Sequence, residues 1–366
     1  MNRPEPTVTD VRTAVYRFPT PVEEGDGTLT WNATTAVTVE VDAGDCTGLG
    51  WTYSSPAAAE VVGQHLAGVV TGRAALDVPG AWSAMHRAGR NLGTRGLFAQ
   101  ALSAVDIALW DLKARLLGVP LVDLFGKVRD SVPVYGSGGF TTLSDEELEQ
   151  QVAGWRAAGC TAMKIKIGES WGTRLGRDLT RVRQLRELAG DGVDLMVDAN
   201  GGYSIGQARR VGAVLDELGV VWFEEPVSSD DLPGLALLRG VLDCDIAAGE
   251  YLSDVVESAR MLPSVDCLQL DVTRCGGYTG WLRCADLAPA AGLQVSGHCA
   301  PSLHAPVAAA LPWLRHVEWF VDHARLEPKL VEGAPEVSDG ALHLTDRPGH
   351  GMTLRPDASR WQVAGR

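Results

Sequence analysis

Eight short apolar runs, beginning near Val132, Thr161, Asp194, Val220, Asp245, Cys267, Leu293 and Val317, follow one another at intervals of 22 to 33 residues. Between them, residues 146–158, 175–188, 206–218 and 255–262 carry charged and apolar side chains at the three-and-four spacing of helices. One strand and one helix fit each interval, so the region reads as an α/β chain, and eight such units are what a closed parallel barrel needs. An open, doubly wound sheet competes with it, because alternation alone does not force closure.

Before residue 130 the pattern differs. Residues 35–41 are β-branched and alternate, whereas Phe98, Ala101, Leu102, Val105, Leu109, Leu112 and Leu116 recur at the helical period until Gly118 and Pro120 end the run. The first part is therefore α+β. After residue 325 the strand–helix rhythm stops, and residues 341–354 read as a hairpin around residues 347–351. These changes divide the chain into residues 1–128, 129–335 and a tail, 336–366, expected to return to the N-terminal part.

A composition of 45% apolar and 21% charged residues over 366 positions is that of a globular chain with a large core. With 46 acidic against 32 basic side chains the net charge is −14, which argues against nucleic acid or an anionic membrane face as partner. The seven cysteines form no CxxC pair, so a reducing compartment is expected. The first ten residues lack the basic start and apolar run of an export signal, and a cytoplasmic location follows. Residues 287–314 contain no Asp, Glu, Lys or Arg, but Pro301, Pro306 and Pro312 with Ser296, His298, Ser302 and His304 make a buried strand plus a short helix the better reading than a membrane span.

In a parallel barrel, chemistry gathers where the strands end. The runs end on Ser137; Lys164 and Lys166; Asp198 and Asn200; Glu224; Glu250; Asp271; His298; and Glu318. Any one of these could be a solvated strand end, but one polar group closing every run is not random decoration. Side-chain alternation puts Lys164 and Lys166 on one face, and Asp198 and Asn200 likewise. Asp198, Glu224 and Glu250 are each 26 residues apart, one strand–helix unit, so adjacent strands aim three carboxylates at one point. Such crowding requires a cation, and an all-oxygen ligand set selects Mg²⁺ over zinc or copper. Glu225 alternates to the other face and is expected to serve as a structural ion-pair partner. No GxGxxG opening a helix, P-loop, GxSxG or HExxH occurs, and the Gly136–Gly139 run does not have the spacing of a nucleophile elbow.

The segments Lys164-Ile165-Lys166, Val197-Asp198-Ala199-Asn200, Trp222-Phe223-Glu224-Glu225-Pro226 and Gly249-Glu250, with Asp271 and His298, resemble the enolase superfamily; the Asp271/His298 pair points to its mandelate racemase subgroup. The resemblance spans the whole chain, including residues 103–111, which are similar to a helix of that family's capping domain. It implies a TIM barrel of modified (β/α)7β form, residues 129–335, under an α+β cap, residues 1–128, that the tail completes. It also implies one Mg²⁺ per subunit on Asp198, Glu224 and Glu250, holding a small carboxylate substrate while its α-proton is removed. Lys166 and the Asp271/His298 dyad would be acid/base groups on opposite faces. Lys164 would neutralise the substrate carboxylate and lower the pKa of Lys166. Glu318 would hydrogen-bond the carboxylate oxygen, best when protonated, and Ser137, Asn200 and Arg274 are further polar candidates. Trp31 and Tyr53, in the loop-like stretches 23–31 and 51–55, would shape the pocket.

Asp271, where the muconate cycloisomerase and dipeptide epimerase subgroup has a lysine, argues against cycloisomerisation of that type, and the Lys-x-Lys pair argues against enolase itself. The expected reaction is dehydration of a sugar acid to a 2-keto-3-deoxy acid. Racemisation or epimerisation of a 2-hydroxy acid is the alternative, and a non-catalytic barrel binding metal and carboxylate is the alternative of another class. The resemblance further implies a homo-oligomer.

Overall fold

The structure is a computed structural model and describes residues 5–365. Residues 1–4, part of the stretch read for an export signal, lie outside the described residues. No described helix is long and apolar enough to cross a membrane.

The N-terminal part is an antiparallel sheet of β1 (Val8–Gly25), β2 (Thr30–Ala43) and β3 (Cys46–Tyr53), with the C-terminal strand Gln362–Gly365 added to the free edge of β1. Alternation in β2 buries Val37, Val39 and Val41 against the helix Leu97–Leu117. That helix lies so close to β3 that a Cβ on Gly48 or Gly50 would collide with the carbonyl oxygens of Ala108 and Ala104. Glycine at these two positions is thus a packing requirement.

Eight parallel strands follow in sequential order: β4 (Ser131–Gly138), β5 (Ala162–Lys166), β6 (Asp194–Asp198), β7 (Val220–Glu224), β8 (Asp245–Ala248), β9 (Cys267–Leu270), β10 (Gln294–Gly297) and β11 (Leu314–Phe320). β11 pairs with β4, Val317 opposite Val134, so the sheet is closed and the open-sheet alternative is excluded. Helices lie between successive strands, and Asp145–Ala157 and Ile205–Glu217 start with capping boxes from Ser144/Glu147 and Ser204/Gln207.

The tail corrects one expectation. Residues 341–354 are not a hairpin: Ala341–His343 pairs with Val337–Ser338 and with β4, while Thr353–Leu354 pairs with Val331–Glu332. A turn-rich stretch between two apolar segments satisfies the hairpin pattern, but each segment finds a nearer strand edge. The tail then crosses to the N-terminal part, where His350 Nε2 meets the Leu49 carbonyl at 2.8 Å and Asp111 accepts the His350 N–H at 2.9 Å.

Candidate active site

Inside the barrel, Tyr135, Ala162, Met196, Trp222, Ala247 and Cys267 pack into one apolar layer. Two residues further along each strand, alternation returns the chain to the same face, and there stand Ser137, Lys164, Asp198, Glu224 and Gln269. The cross-strand register aligns Lys166 with Asp198 and Asp198 with Glu224. A charged layer thus rests on an apolar floor, and every member is buried.

Glu250 reaches this layer by another route. Alternation from Ala247 would turn it outward, but Gly249 has φ +132°, a region favouring glycine, and a Cβ there would strike the Gln269 carbonyl. The result is a trio: Asp198, Glu224 and Glu250 each place one carboxylate oxygen within 4.8 Å of the other two.

The positive groups interlock with it. Lys164 Nζ donates to Glu224 Oε1 and Oε2 at 2.6 and 2.7 Å and lies 2.9 Å from Glu318 Oε1. Lys166 Nζ donates to Asp198 Oδ2. Burial and the Asp198 charge push the Glu224 carboxyl up to about 8, against the pull of Lys164. Burial works most strongly against the Lys166 ammonium, and Lys164 adds to it, but Asp198 together with Glu250 and Glu224 outweighs both and holds it above the usual lysine range. The lowering expected from Lys164 alone is therefore not what the protein groups produce, because the carboxylate in contact acts more strongly than the neighbouring ammonium.

His298, just past β10, has Nδ1 2.8 Å from Asp271 Oδ2, and a carboxylate there requires Nδ1 to carry the proton. Asp271 Oδ1 accepts the Thr273 N–H and hydroxyl, both at 2.7 Å, which fixes the carboxylate plane. Burial raises the Asp271 carboxyl, yet His298 and Arg274 bring it down to about 2. Nε2 of His298 lies 3.2 Å from Glu250 Oε2, off the hydrogen-bond direction, and 3.6 Å from Glu318 Oε2. Burial opposes the imidazolium, but the Cys299 sulfur, Glu250 and Glu318, with the Asp271 hydrogen bond, raise its pKa well above the usual histidine value.

Glu318 accepts from Ser137 Oγ at 2.6 Å and from the Cys299 N–H at 2.9 Å. Against the effect of burial, Lys164, His298 and Lys166 hold its carboxyl below the usual range, so it stands as a carboxylate rather than in the protonated form that suits it best as a donor. Arg274 Nη1 donates to Glu250 Oε1 at 3.2 Å, and its Nε lies 3.4 Å from Asp271. Asn200 donates its backbone N–H to Asp198 Oδ1 at 2.8 Å, while its own Oδ1 is buried without a partner.

Glu225 is a correction. It is buried, Oε1 has no hydrogen-bond partner, and no ion pair reaches it among the described residues; φ of +38° breaks the alternation that would have carried it outward. Trp31 and Tyr53 themselves stand on β2 and β3, and only residues 26–29 and 54–55 of the two stretches lie outside strands. Trp31 Nε1 donates to Glu24 Oε2 at 3.2 Å and sits edge-on to Phe140, while Tyr53 is stacked on His323 at 3.6 Å with its hydroxyl donating to Glu327 at 3.0 Å.

Two contacts lie beyond what the sequence pattern conveys. Trp222 Nε1 donates to Glu224 Oε2 at 2.9 Å, and the two-residue offset from Glu224 is the only signal of it. Cys299 lies against both His298 and Glu318, with Sγ 3.3 Å from Nε2 and from Oε2. Its φ of +52° has no sequence signature in a Cys-Ala pair.

Behind the loop that carries His298, Glu327 accepts from Ser302 Oγ and N–H at 2.5 and 3.3 Å and from Tyr53, joining the N-terminal sheet to the barrel. Burial raises its carboxyl from 4.5 to about 7, opposed by hydrogen bonds from Ser302 and Tyr53. An acid whose pKa is higher folded than unfolded favours the fold while protonated. That advantage is complete below about pH 4.5 and is lost as the pH rises through about 7. Relative to Glu327→Gln, the unsubstituted chain should lose about 3 kcal/mol of stability across this window. Urea unfolding of both proteins at a series of pH values checks this.

Fold and site together define a barrel enzyme organised around a cation-sized carboxylate trio. Residues 147–358 match the family described as Enolase C-terminal domain-like, and residues 8–126 the Mandelate racemase / muconate lactonizing enzyme N-terminal domain. The chain is 35% identical over 323 residues to L-talarate/galactarate dehydratase of Salmonella typhimurium, covering 86% of this chain and 79% of that one. A solved mandelate racemase/muconate lactonizing enzyme-like protein from Rubrobacter xylanophilus superposes with TM-score 0.95 at 44% identity, covering 98% and 100% of the two chains. The Salmonella dehydratase liganded with Mg and L-lyxarohydroxamate superposes with TM-score 0.92 at 30% identity, covering 99% and 94%. The chain belongs to the mandelate racemase/muconate lactonizing enzyme family of the enolase superfamily.

Proposed function

We propose that this chain removes the proton α to a carboxylate with the help of Mg²⁺, and that its substrate is a sugar acid that loses water to give a 2-keto-3-deoxy acid. The observation that carries the reading is the placement of two proton-transfer groups about one trio: Lys166 against Asp198, His298 against Glu250. The trio suits Mg²⁺, since it offers only oxygen and Glu250 Oε2 is buried without a hydrogen bond. Bound there, Mg²⁺ supplies positive charge for the second negative charge that a carboxylate acquires when its α-proton leaves.

This chain's residues divide the remaining work. Lys166 Nζ takes the α-proton; Asp198, which holds the ammonium protonated, would have less charge to spare for it with a cation on the trio. His298, with Nδ1–H tied to Asp271, delivers its Nε2 proton to the departing hydroxyl, so water leaves and the enol product ketonises. Lys164 is spanned by Glu224 and Glu318 and supplies fixed positive charge at the floor of the site. Ser137 orients Glu318, Arg274 steadies Glu250 and Asp271, and Asn200, Trp31 and Tyr53 line or support the substrate space. Similarity to L-talarate/galactarate dehydratase favours elimination over 1,1-proton transfer. A cytoplasmic setting is supported by seven free cysteines, and assembly into a homo-oligomer completes the proposal.

The test is a sugar-acid library incubated with the Mg²⁺-loaded protein in D₂O. A 2-keto-3-deoxy acid supports the reading. Deuterium at the α-carbon without a keto acid would replace dehydration by racemisation or epimerisation. No exchange and no product across the library, with Mg²⁺ bound, would leave a binding barrel instead of an enzyme.

A further inference from the structure

Beside the all-oxygen trio stands a second group of ligand atoms with different chemistry. His298 Nε2, Cys299 Sγ and Glu318 Oε2 are all buried and mutually close: 3.3 Å from sulfur to nitrogen, 3.3 Å from sulfur to oxygen, 3.6 Å from nitrogen to oxygen. A tetrahedral zinc-type ion, with bonds of about 2.3 Å to sulfur and about 2.0–2.1 Å to nitrogen and oxygen, needs edges of about 3.5 Å to sulfur and about 3.3 Å between nitrogen and oxygen. The three observed edges match these within a few tenths of an ångström. We propose that His298, Cys299 and Glu318 form a second cation site, selective for thiophilic divalent ions of the zinc class, whose occupation removes the His298 nitrogen from proton transfer.

The backbone supports the assignment independently of the distances. Cys299 and Ala300 both adopt left-handed φ values, +52° and +40°, in residues that rarely do so. Such geometry is disfavoured for a residue that carries a Cβ. It is what turns Cys299 back toward His298 when extended alternation would send it to the opposite face. The chain here is held by the Cys299 N–H to Glu318 and by the Ala300 N–H donating to His323 Nδ1 at 3.0 Å. The pocketed sulfur also packs with Phe140, Leu143 and Phe320, which leaves its polar neighbours on the side of His298 and Glu318. Glu250 of the trio stands beside this site, its Oε2 3.2 Å from the same imidazole nitrogen.

Selectivity follows from donor type. Mg²⁺ takes oxygen and prefers the trio, whereas zinc-class ions gain from nitrogen and sulfur. Binding forms one metal–sulfur, one metal–nitrogen and one metal–oxygen bond, releases the thiol proton of Cys299 and the Nε2 proton of the His298 imidazolium to water, and changes no oxidation state.

The probe is Cd²⁺ titrated into the full chain in excess Mg²⁺, followed by the ultraviolet charge-transfer band of a cadmium thiolate and by equilibrium dialysis. One thiolate band per chain is expected. Cys299→Ser should abolish the band and weaken the corresponding Cd²⁺ binding at least 100-fold, while Cys46→Ser, at the half-buried cysteine, should leave both unchanged. His298→Asn should keep the band but weaken binding at least tenfold, which tests the site even if Cys299→Ser fails to fold. Cd²⁺ binding without a thiolate band, or a band of full strength and affinity in Cys299→Ser or His298→Asn, overturns the proposal. Because the readout is metal binding, it is independent of whether the sugar-acid screen succeeds.

Discussion

Replacement of Lys166 by alanine should lower turnover by roughly 10²–10⁴-fold, the range supplied by a positioned general base, and should abolish deuterium exchange at the α-carbon. The loss should fall on kcat. Mg²⁺ affinity should hold or rise, since the Lys166 ammonium competes with the cation for Asp198, one of the trio. The partner substitution separates the two proton transfers. In His298→Asn, with Lys166 intact, α-exchange should persist while formation of the keto acid collapses by a comparable factor. Dehydration needs two different groups in sequence, one to take a proton and one to give one. Exchange that survives Lys166→Ala but disappears in His298→Asn would reverse the two roles.

Most of this site is legible in the amino-acid order, for a reason visible in particular residues. Where the backbone stays extended, period-two alternation and a parallel register carry position into space: Lys164, Lys166, Asp198 and Glu224 all stand where spacing puts them. Alternation fails where φ turns positive. At Glu225 and Cys299 the chain leaves the strand conformation, so spacing misplaces the first and is silent about the second. Glu250 reaches the right place for a reason that alternation does not contain, the turn at Gly249. The charge states are also out of reach. Whether Lys166 is raised or lowered depends on a contact with Asp198 against one with Lys164, and a sequence gives neither distance. At the scale of the fold, eight regularly spaced runs announce the barrel, whereas the tail defeats a local reading because strand partners as distant along the chain as Ser131 is from His343 leave no local trace.

Removing the divalent cation with a chelator should lower the melting temperature, and Glu250→Gln should all but abolish that response. The trio concentrates negative charge in a buried layer: Lys164 offsets part of it at Glu224 and Lys166 part at Asp198, but Glu224 is still pushed up to about 8, a sign that its ionised form is costly there. A cation that binds only the folded chain stabilises it by RT ln(1 + [L]/Kd), about 2.7 kcal/mol at a hundredfold excess over Kd. Glutamine at position 250 keeps the size of the side chain but exchanges a carboxylate ligand for a neutral amide. If that raises Kd 100-fold, the same Mg²⁺ concentration yields about 0.4 kcal/mol. Calorimetry of both proteins with and without chelator reads the difference directly. Glu250→Gln also leaves Arg274 and His298 with one fewer anion, so its melting temperature without Mg²⁺ is the necessary reference; the quantity that matters is the Mg²⁺-dependent increment. An increment equal in the two proteins would place the ion somewhere other than on Asp198, Glu224 and Glu250.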